Sequence, residues 1–230
     1  MARRVIFDRT PLEKDFRQRI AVVRKLLDAT DTSPGAAGSA SLIDISREAR
    51  GLSIVLLYAA YENLLKGISR TLLECAVQLN LGNRRLKPNF QLFAVHSRLR
   101  ALTDVPANQI WKGAGRGVID ALLDKTCSIN ANIFPTDGSH MKTPQVATLC
   151  EVYGLNHPGP ILREVWGRID TVVTERNSIA HGQRTPEEVG RAYSIAELRN
   201  LVDIWERRWC EFLADVEGMA STRDFYRDPR

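Results

Sequence analysis

The stretch LSIVLLYAAYENLL, residues 52–65, decides the fold of this chain. Wound as a helix it is apolar on most sides, which is typical of a helix that other helices surround. Helical periodicity extends from this stretch over residues 41–78 and predicts one long helix, with its middle as the most buried element of the chain. Tyr58 and Tyr61 lie in this middle part, and we expect both in the core.

Capping sequences mark the beginnings of three further helical segments. Residues 10–13 (TPLE), 185–188 (TPEE) and 194–197 (SIAE) each place a hydroxyl three positions before a glutamate. Apolar residues then recur at spacings of three or four towards residue 28 and from residue 194 onward. Further helices are predicted over residues 90–102, 117–125 and 146–153, together with a longer helix after Pro160 that RNSIAH closes, with Gly182 at its C-terminus.

The chain therefore has the pattern of an all-α domain, because no series of strands and no internal repeat is present. We expect one domain over residues 1–230, with its core at about residues 11–217. Residues 33–40 (SPGAAGSA) predict a flexible linker. Residues 130–144 (NANIFPTDGSHMKTP) predict a long loop that is functional or mobile, and the polar tail, residues 218–230, is expected to fray.

The composition excludes several classes of protein. The 230 residues are 44% hydrophobic and 26% charged, as in an ordinary soluble domain, and no apolar segment is long enough to span a bilayer. The start of the chain lacks the apolar region of a secretory signal, which favours a cytoplasmic location. The four cysteines and four histidines have no metal-site spacing and no glycine-rich phosphate loop occurs, so we expect no metal and no cofactor. A net charge of +5 permits an anionic partner.

The sequence RNSIAHG, residues 176–182, concentrates the residue types that RNA cleavage needs. Arg176 carries a permanent charge and a fork of donors that matches phosphate. His181 can take and give a proton near neutral pH. Because RNA supplies its own nucleophile in the 2′-OH, His181 would transfer the proton and Arg176 would stabilise the phosphorane, while Asn177 would hold a substrate oxygen or orient His181. No metal is required, and DNA should resist this route.

Helix geometry leaves two arrangements of these residues open. Arg176 and His181 would point about 140° apart on a regular helix, whereas Asn177 and His181 would share a face, with Ser178 beside the histidine. Either Arg176 reaches round on its long side chain, or two copies of the helix complete each other's site in a homodimer. A purely structural alternative is that Arg176 and His181 only complement the dipole at the end of the helix.

The same residues resemble the HEPN superfamily, whose small helical domains carry an Arg, a polar residue and a His in an R-x(4–6)-H motif. Arg176, Asn177 and His181 match this motif with four residues between Arg and His. Residues 56–74 (LLYAAYENLLKGISRTLLE) are similar to the long second helix of the branch that includes RiboL-PSP-type domains. Residues 132–155 are similar to the loop and short helix that precede the motif in that branch.

The resemblance implies an up-and-down helical bundle with long central helices and a long loop before the motif helix. It also implies a homodimer with a metal-independent endoribonuclease site, RNA as the partner, and a toxin–antitoxin, anti-phage or RNA-processing setting with a possible cognate antitoxin or partner protein. Some HEPN domains keep the fold but bind rather than cleave. The alternative is therefore a non-catalytic dimerisation module that binds RNA or a partner protein.

Residues outside the motif carry secondary predictions. Ser178, Lys142 and His140 are candidates for substrate binding, the last two because they lie in the long loop before the motif. That loop could instead only cover the core. Glu62 and Lys66, four residues apart on the long helix, are expected to form an ion pair, and the alternative is that Glu62 braces Arg176.

Overall fold

The computed structural model of the protein describes residues 7–31, 40–136 and 138–228. The predicted linker at residues 33–40 lies outside the described residues except for Ala40, which begins a helix. In chain order the helices are α1 (Thr10–Ala29), α2 (Ala40–Gln78), α3 (Pro88–Ala101), α4 (Ala107–Gln109), α5 (Gly115–Leu122), α6 (Thr143–Tyr153), α7 (Gly159–Leu162), α8 (Trp166–Ala180), α9 (Pro186–Gly190), α10 (Ile195–Ala220) and α11 (Arg223–Tyr226). The described residues contain no strand, so the prediction of an all-α fold is confirmed.

Helix α2 is the centre of the bundle, as residues 52–65 predict. α1, α8, α9 and α10 pack around it, which is why its side chains are apolar in nearly every direction. The ring of Tyr61 is fully buried and stacks on Trp209 of α10, with ring centroids 5.3 Å apart. Aromatic residues of α2 and α10 therefore form the middle of the core.

The capping sequences predict two helix starts correctly and misplace one. Thr185 and Ser194 each form a capping box with Glu188 and Glu197, which opens α9 and α10. Thr10, however, is already the first residue of α1, and the side chain of Asp8 accepts a hydrogen bond from the Thr10 amide at 2.9 Å. An Asp two residues earlier thus takes the place of the expected hydroxyl.

Two predicted helices have different bounds in the structure. The longer helix predicted after Pro160 is divided into α7 and α8, with the break at Arg163, whose φ is +42°. The helix predicted over residues 117–125 begins earlier, because α4 runs into a π-helical turn, Ile110–Ala114, and then into α5. Apolar periodicity does not indicate either feature, because each is a change of backbone geometry confined to a few residues.

Residues 218–226 of the predicted polar tail are helical for the most part and pack against the bundle, so the prediction that they fray is wrong. α10 continues to Ala220, and α11 follows it after a short turn. Phe225 and Tyr226 of α11 are buried against Phe90 of α3, with ring centroids 5.7 and 5.0 Å from the Phe90 ring. Burial of these two aromatic side chains removes a large apolar area from water, which stabilises the packed tail although most residues around them are polar.

Helices α2 and α9 approach each other through their backbones. A Cβ atom at Gly190 would overlap the carbonyl oxygen of Arg47, and one at Gly51 would overlap that of Pro186. Glycine at both positions permits this contact. Because α9 follows the RNSIAHG stretch directly, the contact fixes the course of the chain where it leaves that stretch.

Candidate active site

The motif residues occupy the last turn of α8, where the helix ends in a defined cap. His181 follows Ala180, and Gly182 has the left-handed φ of +68°. The amide of Gln183 donates to the carbonyl of Ser178 at 2.8 Å, and the amide of Gly182 donates to that of Ile179 at 3.1 Å. This Schellman arrangement confirms that Gly182 terminates the helix, and it fixes the backbone at His181.

The guanidinium of Arg176 turns towards Asn177 and not away from it. Arg176 Nη1 donates to Asn177 Oδ1 at 3.0 Å. Its central carbon lies 4.6 Å from the centroid of the Tyr58 ring on α2, which is cation–π geometry. The long side chain is therefore held between its neighbour Asn177 and the Tyr58 ring, and that ring sets its direction.

Tyr58 is in turn connected to Glu62. The Tyr58 ring is buried, and its hydroxyl donates to Glu62 Oε1 at 3.3 Å. Glu62 Oε1 also lies 3.3 Å from Lys66 Nζ, which is the expected ion pair. Burial raises the pKa of the Tyr58 hydroxyl above its ordinary value, and the negative charge of Glu62 acts in the same direction. The hydroxyl thus stays protonated as a donor. Glu62 contacts the ring on which Arg176 rests, and among the described residues it forms no ion pair with Arg176 itself.

The loop before α6 carries His140 to the same place and is held at two points. Tyr61 of α2 donates its hydroxyl proton to the carbonyl of Met141 at 2.6 Å. The amide and hydroxyl of Thr143 donate to the carboxylate of Asp170 on α8, at 2.8 and 3.1 Å. His140 therefore lies directly before two anchor points, one on the central helix and one on the motif helix.

Three rings meet at the resulting site. The His140 centroid lies 6.5 Å from that of His181 and 6.4 Å from that of Tyr58. His181 is exposed, whereas Arg176, Asn177 and His140 are half-buried. A cation, an amide and two imidazoles are thus linked by successive contacts, from Asn177 to Arg176, through Tyr58 to His140 and on to the exposed His181. This combination of side chains is suited to an anionic ligand and to proton transfer.

The other two predicted binding residues differ in their surroundings. Lys142 is exposed immediately before α6, and its amide donates to the carbonyl of His140 at 2.7 Å. Ser178 is buried, with 8% of its surface exposed, and its hydroxyl donates to the carbonyl of Glu175 at 2.8 Å. The placement of Ser178 therefore does not favour substrate binding, because the backbone already uses its hydroxyl.

Tyr58, Tyr61 and Asp170 are connected to the site although the motif does not include them. The prediction of a core position for the two tyrosines is correct, but each also has a hydroxyl that must find a partner when it is buried. In the sequence, the two phenol side chains within a mainly apolar stretch are the feature that could have indicated these hydrogen bonds. Nothing in the sequence alone pairs Asp170 with Thr143, since that contact depends on how α6 and α8 are arranged.

Two further properties of the described residues bear on the site. No group of three or more His, Cys, Asp or Glu side chains within residues 7–31, 40–136 and 138–228 is placed to hold a metal ion. In the same part of the chain, no helix combines the length and the apolarity that crossing a membrane requires.

Comparison with known proteins gives one family. The family model described as RiboL-PSP-HEPN matches residues 14–206, which include α2, the loop before α6 and the whole RNSIAHG stretch. No curated protein and no solved structure matches the chain.

Proposed function

Because the chain belongs to the RiboL-PSP-HEPN family, we propose that it is a metal-independent endoribonuclease that acts through Arg176, Asn177 and His181. The observation that carries the proposal is the series of contacts that joins Arg176 to Tyr58, Tyr58 to His140 and His140 to the exposed His181, with Arg176 also bonded to Asn177. HEPN domains are often ribonucleases, and this grouping supplies what such a reaction needs.

The reaction begins with attack of the ribose 2′-oxygen on the adjacent phosphorus. His181 removes the 2′-OH proton, or alternatively gives a proton to the departing 5′-oxygen. Arg176 donates hydrogen bonds to the non-bridging oxygens, where negative charge accumulates in the transition state. The P–O5′ bond breaks, so the products carry a 2′,3′-cyclic phosphate and a 5′-OH. No step needs a metal ion.

A second imidazole is needed for the other proton transfer. His181 of a second copy would provide it if two motifs meet in a homodimer. His140 of the same chain is the other source, since its ring is close enough to His181 for both rings to reach one phosphodiester. Lys142, exposed beside His140, would contact a neighbouring phosphate.

The test is cleavage of a mixed panel of RNAs by the purified chain in EDTA. We expect wild type to cleave and to leave cyclic phosphate ends, and His181→Ala to be at least about 100-fold slower, because a general acid or base contributes that much. His157→Ala is the matched control, since His157 contacts Trp166 at the start of α8, at the other end of that helix from the motif. Equal rates for His181→Ala and His157→Ala would reject the proposal.

A homodimer is part of the proposal and has its own test. Mixing inactive His181→Ala with inactive Arg176→Ala should restore activity if each copy contributes one residue to a composite site. Restored activity is not expected if one chain holds the whole site. The proposed setting is cytoplasmic RNA processing, toxin–antitoxin function or phage defence, and expression in cells that is toxic for wild type but not for His181→Ala would support the last two.

The alternative is a HEPN module that binds RNA or a protein without cleaving. Family membership alone does not distinguish this binding module from a nuclease, because HEPN domains of both kinds have the same fold. Cleavage in EDTA by wild type and loss of cleavage in His181→Ala with RNA binding intact would exclude it.

A further inference from the structure

The positive charge of this chain is concentrated in one segment. Residues 84–125, here called the arm, contain eight of the 32 Lys and Arg residues but only three of the 27 Asp and Glu residues. The arm therefore carries a net charge of +5, and the rest of the chain balances at zero. It begins before α3 and ends after α5.

The arm extends away from the core beyond the first half of α3. Phe90, Phe93, Ala94 and Val95 are buried, but no residue from 96 to 125 is. Asn83 closes the base, where its side-chain amide donates to the carbonyl of Ala121 at 2.7 Å and to Ser128 Oγ at 2.8 Å. The distal part is thus a surface feature and contributes little to the core.

The cations of the distal arm have no internal partners. Arg98, Arg100, Lys112 and Arg116 form no ion pair and no side-chain hydrogen bond with any residue that the structure describes. Arginines on the bundle behave differently, for example Arg17, which pairs with Glu206 at 2.7 Å. The charge of the arm is therefore available to an external anion.

An exposed tryptophan lies in the same segment of the chain as these cations. Trp111 is 89% exposed, on the π-helical turn between α4 and α5, and it directly precedes Lys112. Exposure of a whole indole to water is unfavourable unless a ligand covers it. An exposed aromatic ring with basic neighbours is the arrangement on which proteins stack the bases of single-stranded nucleic acid.

We propose that the arm is a binding surface for single-stranded RNA, in which Trp111 stacks on a base while Lys112 and Arg116 contact the phosphates. The choice of RNA as the ligand rests on the proposed function. The charge of the arm argues against a second copy of the chain on this surface, because two arms of net charge +5 would repel each other. Other exposed apolar side chains of the arm, Leu92, Leu99, Ile110, Ile119 and Leu123, would cover part of the bound strand.

The arm and the candidate active site lie at opposite ends of α6. Thr143 begins α6 next to His140, whereas the carbonyls of Glu151 and Val152 near its end accept hydrogen bonds from Asn89 at the start of α3. The eleven residues of α6 separate the base of the arm from the candidate active site by about 16 Å. The arm would thus hold RNA at a distance from the cleaved bond, and a dinucleotide in the active site would be too short to reach the arm.

Binding is measured with full-length His181→Ala, so that the RNA stays intact, and with mixed-sequence single-stranded RNA of about 20 nucleotides. Trp111→Ala should weaken binding about 5- to 150-fold, because this is the affinity that stacking of one base on an aromatic ring contributes. Trp111→Phe keeps an aromatic ring and should retain most of the affinity. Replacing Lys112 and Arg116 together by alanine should lower the slope of log K against log salt by about 1.4, since each phosphate contact contributes about 0.7.

The matched control replaces Lys14 and Lys25 of α1 by alanine. Both are exposed and have no ion pair among the described residues, so this variant loses the same net charge. Its salt slope should stay close to that of the parent. An equal fall in both double variants, or unchanged affinity in Trp111→Ala, would overturn the proposal. So would sedimentation that shows a dimer in wild type and a monomer in Trp111→Ala, because the arm would then be a protein interface.

Cleavage assays separate this proposal from the proposed function. The Trp111→Ala change, made in the otherwise wild-type chain, should slow cleavage of long RNA at low concentration and leave cleavage of a dinucleotide unchanged. If wild type cleaves nothing while RNA binding still depends on Trp111, the arm proposal stands and the nuclease proposal falls. If wild type cleaves and binding does not depend on Trp111, the nuclease proposal stands and the arm proposal falls.

Discussion

The guanidinium of Arg176 rests on the ring of Tyr58, with 4.6 Å between its central carbon and the ring centroid. This contact joins the motif helix to the central helix and sets the direction of the cation. It predicts different results for two substitutions of Tyr58. Tyr58→Phe keeps the ring and should retain most of the cleavage rate, whereas Tyr58→Leu should lower it roughly 2- to 30-fold, because a cation–π contact contributes about 0.5 to 2 kcal/mol.

The measurement for Tyr58 is the initial rate on one RNA at saturating concentration, together with thermal unfolding of each variant. Similar rates for Tyr58→Phe and Tyr58→Leu would mean that the ring does not orient Arg176.

The hydroxyl of Tyr61 should hold the loop that carries His140. Tyr61→Phe leaves the carbonyl of the buried Met141 without its donor, which should cost about 1 to 3 kcal/mol of unfolding free energy. Faster amide exchange in residues 138–142 and slower cleavage should accompany that loss. Urea unfolding and hydrogen exchange would measure both. Tyr193→Phe is the control, since the Tyr193 hydroxyl has no hydrogen-bond partner among the described residues. An equal loss of stability there would remove the argument for a specific anchor.

The backbone contact between α2 and α9 should tolerate no side chain. Gly190→Ala would place a methyl group on the carbonyl oxygen of Arg47 and should cost more than about 3 kcal/mol, or prevent folding. Gly218→Ala, in the last turn of α10 with open space around the new methyl, should instead gain up to about 0.5 to 1 kcal/mol. Denaturant unfolding of the two variants measures both effects. The change in unfolding free energy should be a loss for Gly190→Ala and a gain for Gly218→Ala. A stable Gly190→Ala would show that the two helices can separate.

The ion pair between Glu164 and Arg208 should make stability depend on pH in the acid range. The hydrogen bond from Arg208, 2.9 Å long, holds the pKa of the Glu164 carboxyl at about 2, against an ordinary 4.5. A lowered folded-state pKa adds stability that is complete above pH 4.5 and is lost as pH falls towards 2. The Tm of wild type should therefore exceed that of Glu164→Gln at pH 7, and the difference should narrow between pH 5 and pH 2.

Glu151→Gln provides the comparison for the acid range. Glu151 is exposed on α6 and forms no ion pair with a described residue, so its Tm should follow that of wild type at every pH. A gap between wild type and Glu164→Gln that stays constant from pH 7 to pH 2 would contradict the assignment.

Features that depend on neighbouring residues could be predicted from the sequence. The continuous apolar stretch of α2, the two capping boxes and the left-handed glycine at the end of α8 all act over a few residues. The motif itself is local too, so Arg176, Asn177 and His181 could be selected before any contact was known.

Features that depend on contacts between distant residues could not be predicted. The direction of Arg176 is set by Tyr58, which lies on another helix, and spacing along α8 alone suggests that the guanidinium points away from His181. The packing of the tail could not be predicted either, because Tyr226 is buried against Phe90, a residue far from it in the sequence. The availability of the arm's cations depends on which carboxylates the folded chain brings within reach of them, and spacing along the sequence does not reveal this.

The weak dependence of the core on the distal arm has a consequence for how such a protein can diversify. Positions 96–125 have no buried side chain, so substitutions there leave the packing of the bundle unchanged and selection for stability scarcely constrains them. Exchange of this segment between related chains, with Asn83 and Ser128 retained at its base, would then transfer a preference for one RNA to another chain without altering the chemistry. Target choice and catalysis could evolve as separate modules in one small polypeptide.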